Sequence, residues 1–226
     1  MLLYIILAFM LDSLYYVMFV MAFICCIFTY KSLDKNFKWF LPFLAFGVLY
    51  NYPAIFQLLI INHTNAWCNN FNDILEFICY TMFIMSFDDR KKRKKYVYIA
   101  AGVIVGLTLI DIFFIQGFWH RATIAIVTQN IFGLWLVCDY YCRLLNDDND
   151  EYIELISHPP FLAITGIFFY YLAMTFYYSC FSFMVYKNNY HFYLIAITLL
   201  NLNSLMLYGL FSFSFICFFR KNNLSS

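Results

Sequence analysis

Seven stretches of this chain are apolar for long enough to cross a bilayer as helices, and the connections between them are too short to fold as soluble domains. A spanning helix needs about 20 predominantly apolar residues, since each adds about 1.5 Å and the hydrocarbon core is about 30 Å thick. The runs lie at about 10–30, 37–61, 70–87, 96–116, 122–144, 161–186 and 190–219. Backbone amides find no water in hydrocarbon, so each run must satisfy its own hydrogen bonds as a helix. The expected fold is all-α: a polytopic membrane protein with seven transmembrane helices in a single membrane domain over residues 1–226. Composition agrees. Charged residues make up 12% of the chain, against about 25% in an ordinary soluble domain, too few to give 64% hydrophobic residues a wet surface. The first run, Met1 to Tyr30, lacks a basic start and a small-residue cleavage site and is interrupted by Asp12, so it reads as a retained helix.

Orientation follows from the basic residues counted loop by loop. Lys31, Lys35, Lys38, the run Arg90, Lys91, Lys92, Arg93, Lys94 and Lys95, then Arg143, Arg220 and Lys221 all fall on one side. Arg121 and Lys187 alone fall on the other. Positive charge marks the cytoplasmic side, so the C-terminus is expected inside and, with seven spans, the N-terminus outside. The Arg90–Lys95 run then reads as a topology anchor at the bilayer surface. A net charge of +1 gives no bulk electrostatic case for nucleic acid. The lipid bilayer is the expected partner.

Polar residues inside apolar runs are costly, so they face the bundle interior. In the third run Asn69, Asn72, Asp73, Glu76 and Tyr80 recur at i, i+3, i+4, i+7 and i+11 and share one helical face. The sixth run offers Tyr171, Thr175, Tyr178 and Ser182; the seventh offers Thr198, Asn201, Tyr208 and Ser212, with Asn203 and Ser204 beside them. Asp111 and Asp12 complete the set. Two readings of Asn72, Asp73, Glu76, Tyr80, Tyr171, Tyr178, Asn201 and Tyr208 stand: a ligand-binding pocket opening outward between helices 3, 6 and 7, or interhelical hydrogen bonds that hold the bundle together.

Several chemistries lack support. Seven of the eight cysteines lie in apolar runs, where a thiol behaves as a small hydrophobe. Cys68 is expected in a loop, and no C-x-x-C occurs. His63, His120 and His191 map to the outer side without metal-ligand spacing, and His158 reads as a loop residue before Pro159, so no metal and no cofactor is expected. There is no phosphate-binding glycine loop, no G-x-S-x-G and no nucleophile–base constellation, so the chain does not read as an enzyme. A lysine for a retinal Schiff base is missing from the seventh run. So are Asp-Arg-Tyr after the third and Asn-Pro-x-x-Tyr in the seventh.

Three stretches carry a resemblance: FNDILEFICYTMFIMSF (Phe71–Phe87), HPPFLAITGIFFYYLAMTFYYSCF (His158–Phe181) and NLNSLMLYGLFSFSFIC (Asn201–Cys217). They resemble small multi-helix membrane proteins of Bacteroidetes, related to membrane sensor modules that precede histidine kinases. The shared features are Glu76-Phe77, the Pro160-Phe161…Gly166…Phe169-Tyr170 opening of the sixth run, and Asn201 or Ser204 with Tyr208. The resemblance implies a sensory or signal-transduction module in a bacterial cytoplasmic (inner) membrane. With the chain ending at Ser226, it implies a separate cytoplasmic or membrane signalling partner in place of a fused kinase. The second reading is a transporter or channel component using Asp73 and Glu76 as a proton or cation site, against which stand the absence of internal repeats and only 7 glycines.

Overall fold

A computed structural model of the chain describes residues 2–56, 58–146, 158–186 and 190–224. Among them the protein is all-helical, with a single isolated bridge, Ile61 to Thr64, in place of any strand. Seven long helices follow one another: α1 (Leu2–Thr29), α2 (Phe40–Ile55), α3 (Ala66–Ser86), α4 (Lys91–Ile110), α5 (Thr123–Leu145), α6 (Pro159–Tyr186) and α7 (Tyr190–Leu224). One helical turn, Lys35–Lys38, precedes α2, and a π-helical turn, Asp111–Ile115, extends α4. Among the described residues four segments, Lys91–Ile115, Thr123–Leu145, Pro159–Phe181 and His191–Arg220, are long and apolar enough to cross a membrane, and Ser13–Thr29 is a shorter apolar stretch. The outward face of α4 and its extension bares Val103, Leu107, Ile110, Phe113 and Phe114. A continuous apolar face of that kind suits hydrocarbon and not water.

The element order matches the seven apolar runs, with shifted ends. The second helix stops at Ile55, six residues before the expected 61 and two residues after Pro53. The chain there folds back instead: the Leu58 amide donates to the Pro53 carbonyl at 2.9 Å, and Asn62 and His63 take positive φ. The Trp67 indole anchors this cap on the Leu59 carbonyl at 3.1 Å. The third helix begins at Ala66, four residues earlier than expected, so Cys68 is a buried helical residue and not a loop thiol. Its Sγ lies 3.0 Å from the Asn65 carbonyl and 3.7 Å from the Tyr50 hydroxyl oxygen. Asp147, Asp148, Asp150, Glu151, Glu154 and Lys187 lie outside the described residues, as do the side chains of Asp12 and Ser182.

The helices form one bundle. α7 packs along both α6 and α1, α6 along α5, α2 against α1, and α3 against α5 and α4. Lipid tails are as apolar as leucine, so close van der Waals contact holds such helices together. Gly133 of α5 permits one such approach: a Cβ there would overlap the ring of Tyr171 in α6. One half of the interior is an aromatic layer in which Phe40 meets Phe83 edge-on at 4.6 Å and Phe211 at 4.7 Å, and Phe37 meets Phe83 at 5.0 Å. Phe37, Phe211 and Phe215 are fully buried. Edge-to-face pairing suits the ring quadrupole and leaves no polar atom to satisfy.

Candidate functional site

The polar stripe of α3 opens onto a cavity of about 230 Å³. Asn69, Asn72, Asp73 and Glu76 form its α3 wall, and α7 faces them with Asn201 and Ser204. Tyr170, Met174 and Tyr178 of α6 close one side; Tyr15 and Phe19 of α1 with Gly47, Tyr50 and Asn51 of α2 close the other. The Tyr50 hydroxyl donates to Asn69 Oδ1 and links the ends of α2 and α3.

Arg121, from the connection between α4 and α5, reaches this cavity. Its Nη1 lies 2.7 Å from Asp73 Oδ2 and donates to Asn70 Oδ1 at 3.0 Å. Nη2 and Nε donate to the Tyr178 hydroxyl at 2.7 and 3.1 Å, with the guanidinium carbon 5.2 Å from that ring's centre. Asn70, almost fully buried, also accepts from the Ala122 amide at 3.1 Å and donates to the His120 carbonyl at 2.8 Å. A planar fork with five donors is suited to this shared task, which a lysine could not perform. The result is a neutralised Asp73–Arg121 pair that joins α3, α6 and the α4–α5 connection.

Glu76, less than one turn further along α3, has a different environment. Oε1 accepts from Asn72 Nδ2 at 3.0 Å and Oε2 from the Tyr170 hydroxyl at 2.8 Å. Among the described residues no Lys, Arg or His stands within ion-pair distance of it. Behind it lies a second cavity of about 10 Å³, lined in part by Asn130, Gln129 and Tyr171. That is about the space one water needs. Asn130 Nδ2 and the Tyr171 hydroxyl point into buried surroundings without a partner among the described residues.

Of the eight residues expected on the polar face, Asn72, Asp73, Glu76, Tyr178 and Asn201 line the main cavity. Tyr171 lines the small one, while its neighbour Tyr170 bonds Glu76. Tyr80 is buried below the cavity, 5.4 Å from the Phe43 ring and 5.9 Å from that of Tyr171. Tyr208 is buried between the rings of Phe19 and Tyr15, at 4.6 and 5.7 Å. Thr198, Ser204 and Ser212 each donate to the carbonyl four residues back in α7. That back-bonding satisfies a hydroxyl inside an apolar helix. Asp111 stands apart: its Oδ2 accepts from the Ala125 amide at 3.3 Å, at the start of α5, where a helix end favours negative charge.

The basic run divides in the structure. Arg90 holds Asp88 through two contacts of 3.0 Å, and Arg93 bridges Asp88 at 2.6 Å and Asp139 at 2.5 Å. Arg143 bonds Asp139 at 2.9 Å and the Phe87 carbonyl at 3.2 Å. Lys91, Lys92 and Lys95 are exposed, and Lys94 is half-buried. Asp88 is fully buried; burial acts to raise its pKa, but bonds from Arg90 and Arg93 and the charge of Arg143 outweigh it and hold the carboxyl well below the usual range. No family model, curated protein or solved structure matches the chain.

Proposed function

We propose that the chain is a seven-span protein of a bacterial cytoplasmic membrane, N-terminus outside and C-terminus in the cytoplasm, that binds a small polar ligand and signals through a separate partner. The observation that carries this reading is the cavity of about 230 Å³, lined by five helices and floored by aromatic side chains. Concave sites with a few convergent polar groups on an apolar wall are where small molecules bind. The cavity lies at the Arg121 end of the bundle, and the Asp88 cluster with its exposed lysines lies at the other. The uneven spread of basic residues makes the cavity end the outer one. Below Tyr80, the buried Phe40, Phe83, Phe211 and Phe215 occupy the interior toward the basic end. Such a floor suits a site that is filled and emptied from one side. The likeness of α3, α6 and α7 to kinase-linked sensor modules favours signalling, with a cytoplasmic or membrane protein as recipient.

Asp73 and Glu76, in the same cavity, support the second reading, a proton or cation transporter in which the aromatic floor must part. Reconstitution in liposomes loaded with a pH-sensitive dye separates the two. The binding-module reading expects wild type and Glu76→Gln to give the same background flux under a pH gradient. Flux in wild type that Glu76→Gln abolishes makes the chain a transporter. A C-terminal alkaline phosphatase fusion should be inactive in cells, and an active one reverses the orientation.

A further inference from the structure

Resting on that binding-module reading, we infer that the ligand of the outer cavity is a small organic cation of the ammonium type, with Glu76 as its counter-charge. The cavity wall holds two carboxyl groups, Asp73 and Glu76, and one guanidinium, Arg121. Two of them cancel in the 2.7 Å pair between Asp73 and Arg121, whose remaining donors go to Asn70 and Tyr178. An anionic ligand therefore finds no uncommitted guanidinium and meets Glu76. A cationic ligand finds a carboxyl group that no described Lys, Arg or His meets within ion-pair distance.

Glu76 is prepared for such a partner. A carboxylate offers about four lone-pair sites, and here Asn72 and Tyr170 each use one. Both donors are neutral, so they orient the carboxylate without cancelling its charge. The surrounding wall is aromatic: Tyr15, Phe19, Phe43 and Tyr50 line the cavity besides Tyr170 and Tyr178. Ring faces attract ammonium groups, and most strongly where water is displaced. Asn51 and Asn201 add amide oxygens and amide N–H groups for one further polar group on the ligand. Size restricts the class. At about 230 Å³ the cavity holds an amino alcohol or a methylated ammonium and falls below the about 300–1,000 Å³ of sites that enclose drug-sized ligands.

The same headgroup chemistry exists free in water and on zwitterionic lipids, and the test separates these sources. Thermal unfolding of the purified full chain in phosphatidylglycerol nanodiscs is measured with ethanolamine, choline, glycerol and acetate, at constant ionic strength. Free ethanolamine or choline should raise the unfolding temperature saturably, with glycerol and acetate inert. Glu76→Gln should weaken that affinity by about tenfold or more, the loss of the carboxylate charge that faces the ammonium. Asn201→Phe, which fills the cavity and leaves Glu76 in place, should abolish the shift even if Glu76→Gln fails to fold. A shift seen only when phosphatidylethanolamine replaces part of the lipid, and lost in Asn201→Phe, assigns the same ammonium chemistry to a lipid headgroup. Saturable stabilisation by glycerol or acetate, with none by either ammonium, overturns the cation assignment and leaves the binding cavity standing. No shift with any compound or lipid overturns both. A cation shift unchanged in Asn201→Phe places binding elsewhere and overturns the inference.

Discussion

The two ends of the bundle use the same chemistry to opposite effect. At the basic end Asp88 and Asp139 meet Arg90, Arg93 and Arg143 in a closed cluster, and both carboxylates of that cluster face a guanidinium. At the other end a single Asp73–Arg121 pair borders an open cavity, and Glu76 faces only neutral donors. The first arrangement ties the end of α3 and the start of α4 to the end of α5. The second leaves one acidic group unmatched beside empty space. Buried charge is costly unless paired, so an unmatched carboxylate beside a cavity is more informative about function than a matched cluster is.

The comparison breaks first at Asp88. Removing one member of a buried ion pair costs about 3–5 kcal/mol, but Arg90 is about half exposed, which reduces the figure. Asp88→Asn should therefore lose about 2–3 kcal/mol in reversible unfolding from mixed micelles. A loss near zero would make the cluster a surface decoration. The same variant carries a pH signature. The folded Asp88 carboxyl titrates below its unfolded value of about 3.9, so its stabilisation is full above that pH and disappears as pH falls toward the folded value. The gap between wild type and Asp88→Asn should hold steady above about pH 5 and narrow below about pH 4. A gap that widens in acid would contradict the ion-pair account.

At the cavity end the cost should be smaller. Asp73→Asn leaves Arg121 with Tyr178 and Asn70, and its remaining charge borders a cavity that can hold water, so about 1 kcal/mol is expected in the same unfolding assay. A loss equal to that of Asp88→Asn would erase the distinction between the ends. The smallest effect concerns Cys68. Held beside the Asn65 carbonyl and under Tyr50, it should stay unlabelled by a membrane-impermeant maleimide while an engineered His63→Cys, on the exposed cap, reacts to completion. Rapid labelling of Cys68 would mean the cap does not cover it.

Periodicity made part of this legible. The i, i+3, i+4, i+7 spacing placed Asn69, Asn72, Asp73 and Glu76 on one face because α3 is polar on that side alone, and the structure puts all four on the cavity. Tyr80 keeps the same phase but lies below the cavity floor, a limit in depth that phase does not carry. In α6, aromatic residues occur on every face, so nothing in the sequence separates Tyr170, which bonds Glu76, from Tyr171, which lies over Gly133. Arg121 and Asn70 escaped because their partners are about 50 residues away. A lone arginine in the loop between α4 and α5 counts toward orientation and gives no local sign of an ion pair. At the basic end Arg90 and Arg93 stand close to Asp88 in sequence and Arg143 close to Asp139; what the sequence hides is that the start of α4 and the end of α5 meet, so that Arg90 and Arg93 also reach Asp139.

Accessibility of the cavity floor tests the central claim, an outward-opening polar site closed toward the cytoplasm, most directly. In a chain whose eight cysteines are replaced by alanine, single cysteines at Ser204 on the cavity wall and at Ser86 at the basic end are exposed in intact cells to a small, charged, impermeant thiol reagent. The account predicts that Ser204→Cys is modified from outside, and that Ser86→Cys is modified only after the membrane is opened. Modification of Ser86→Cys in intact cells, with Ser204→Cys reacting only in inverted vesicles, would contradict it.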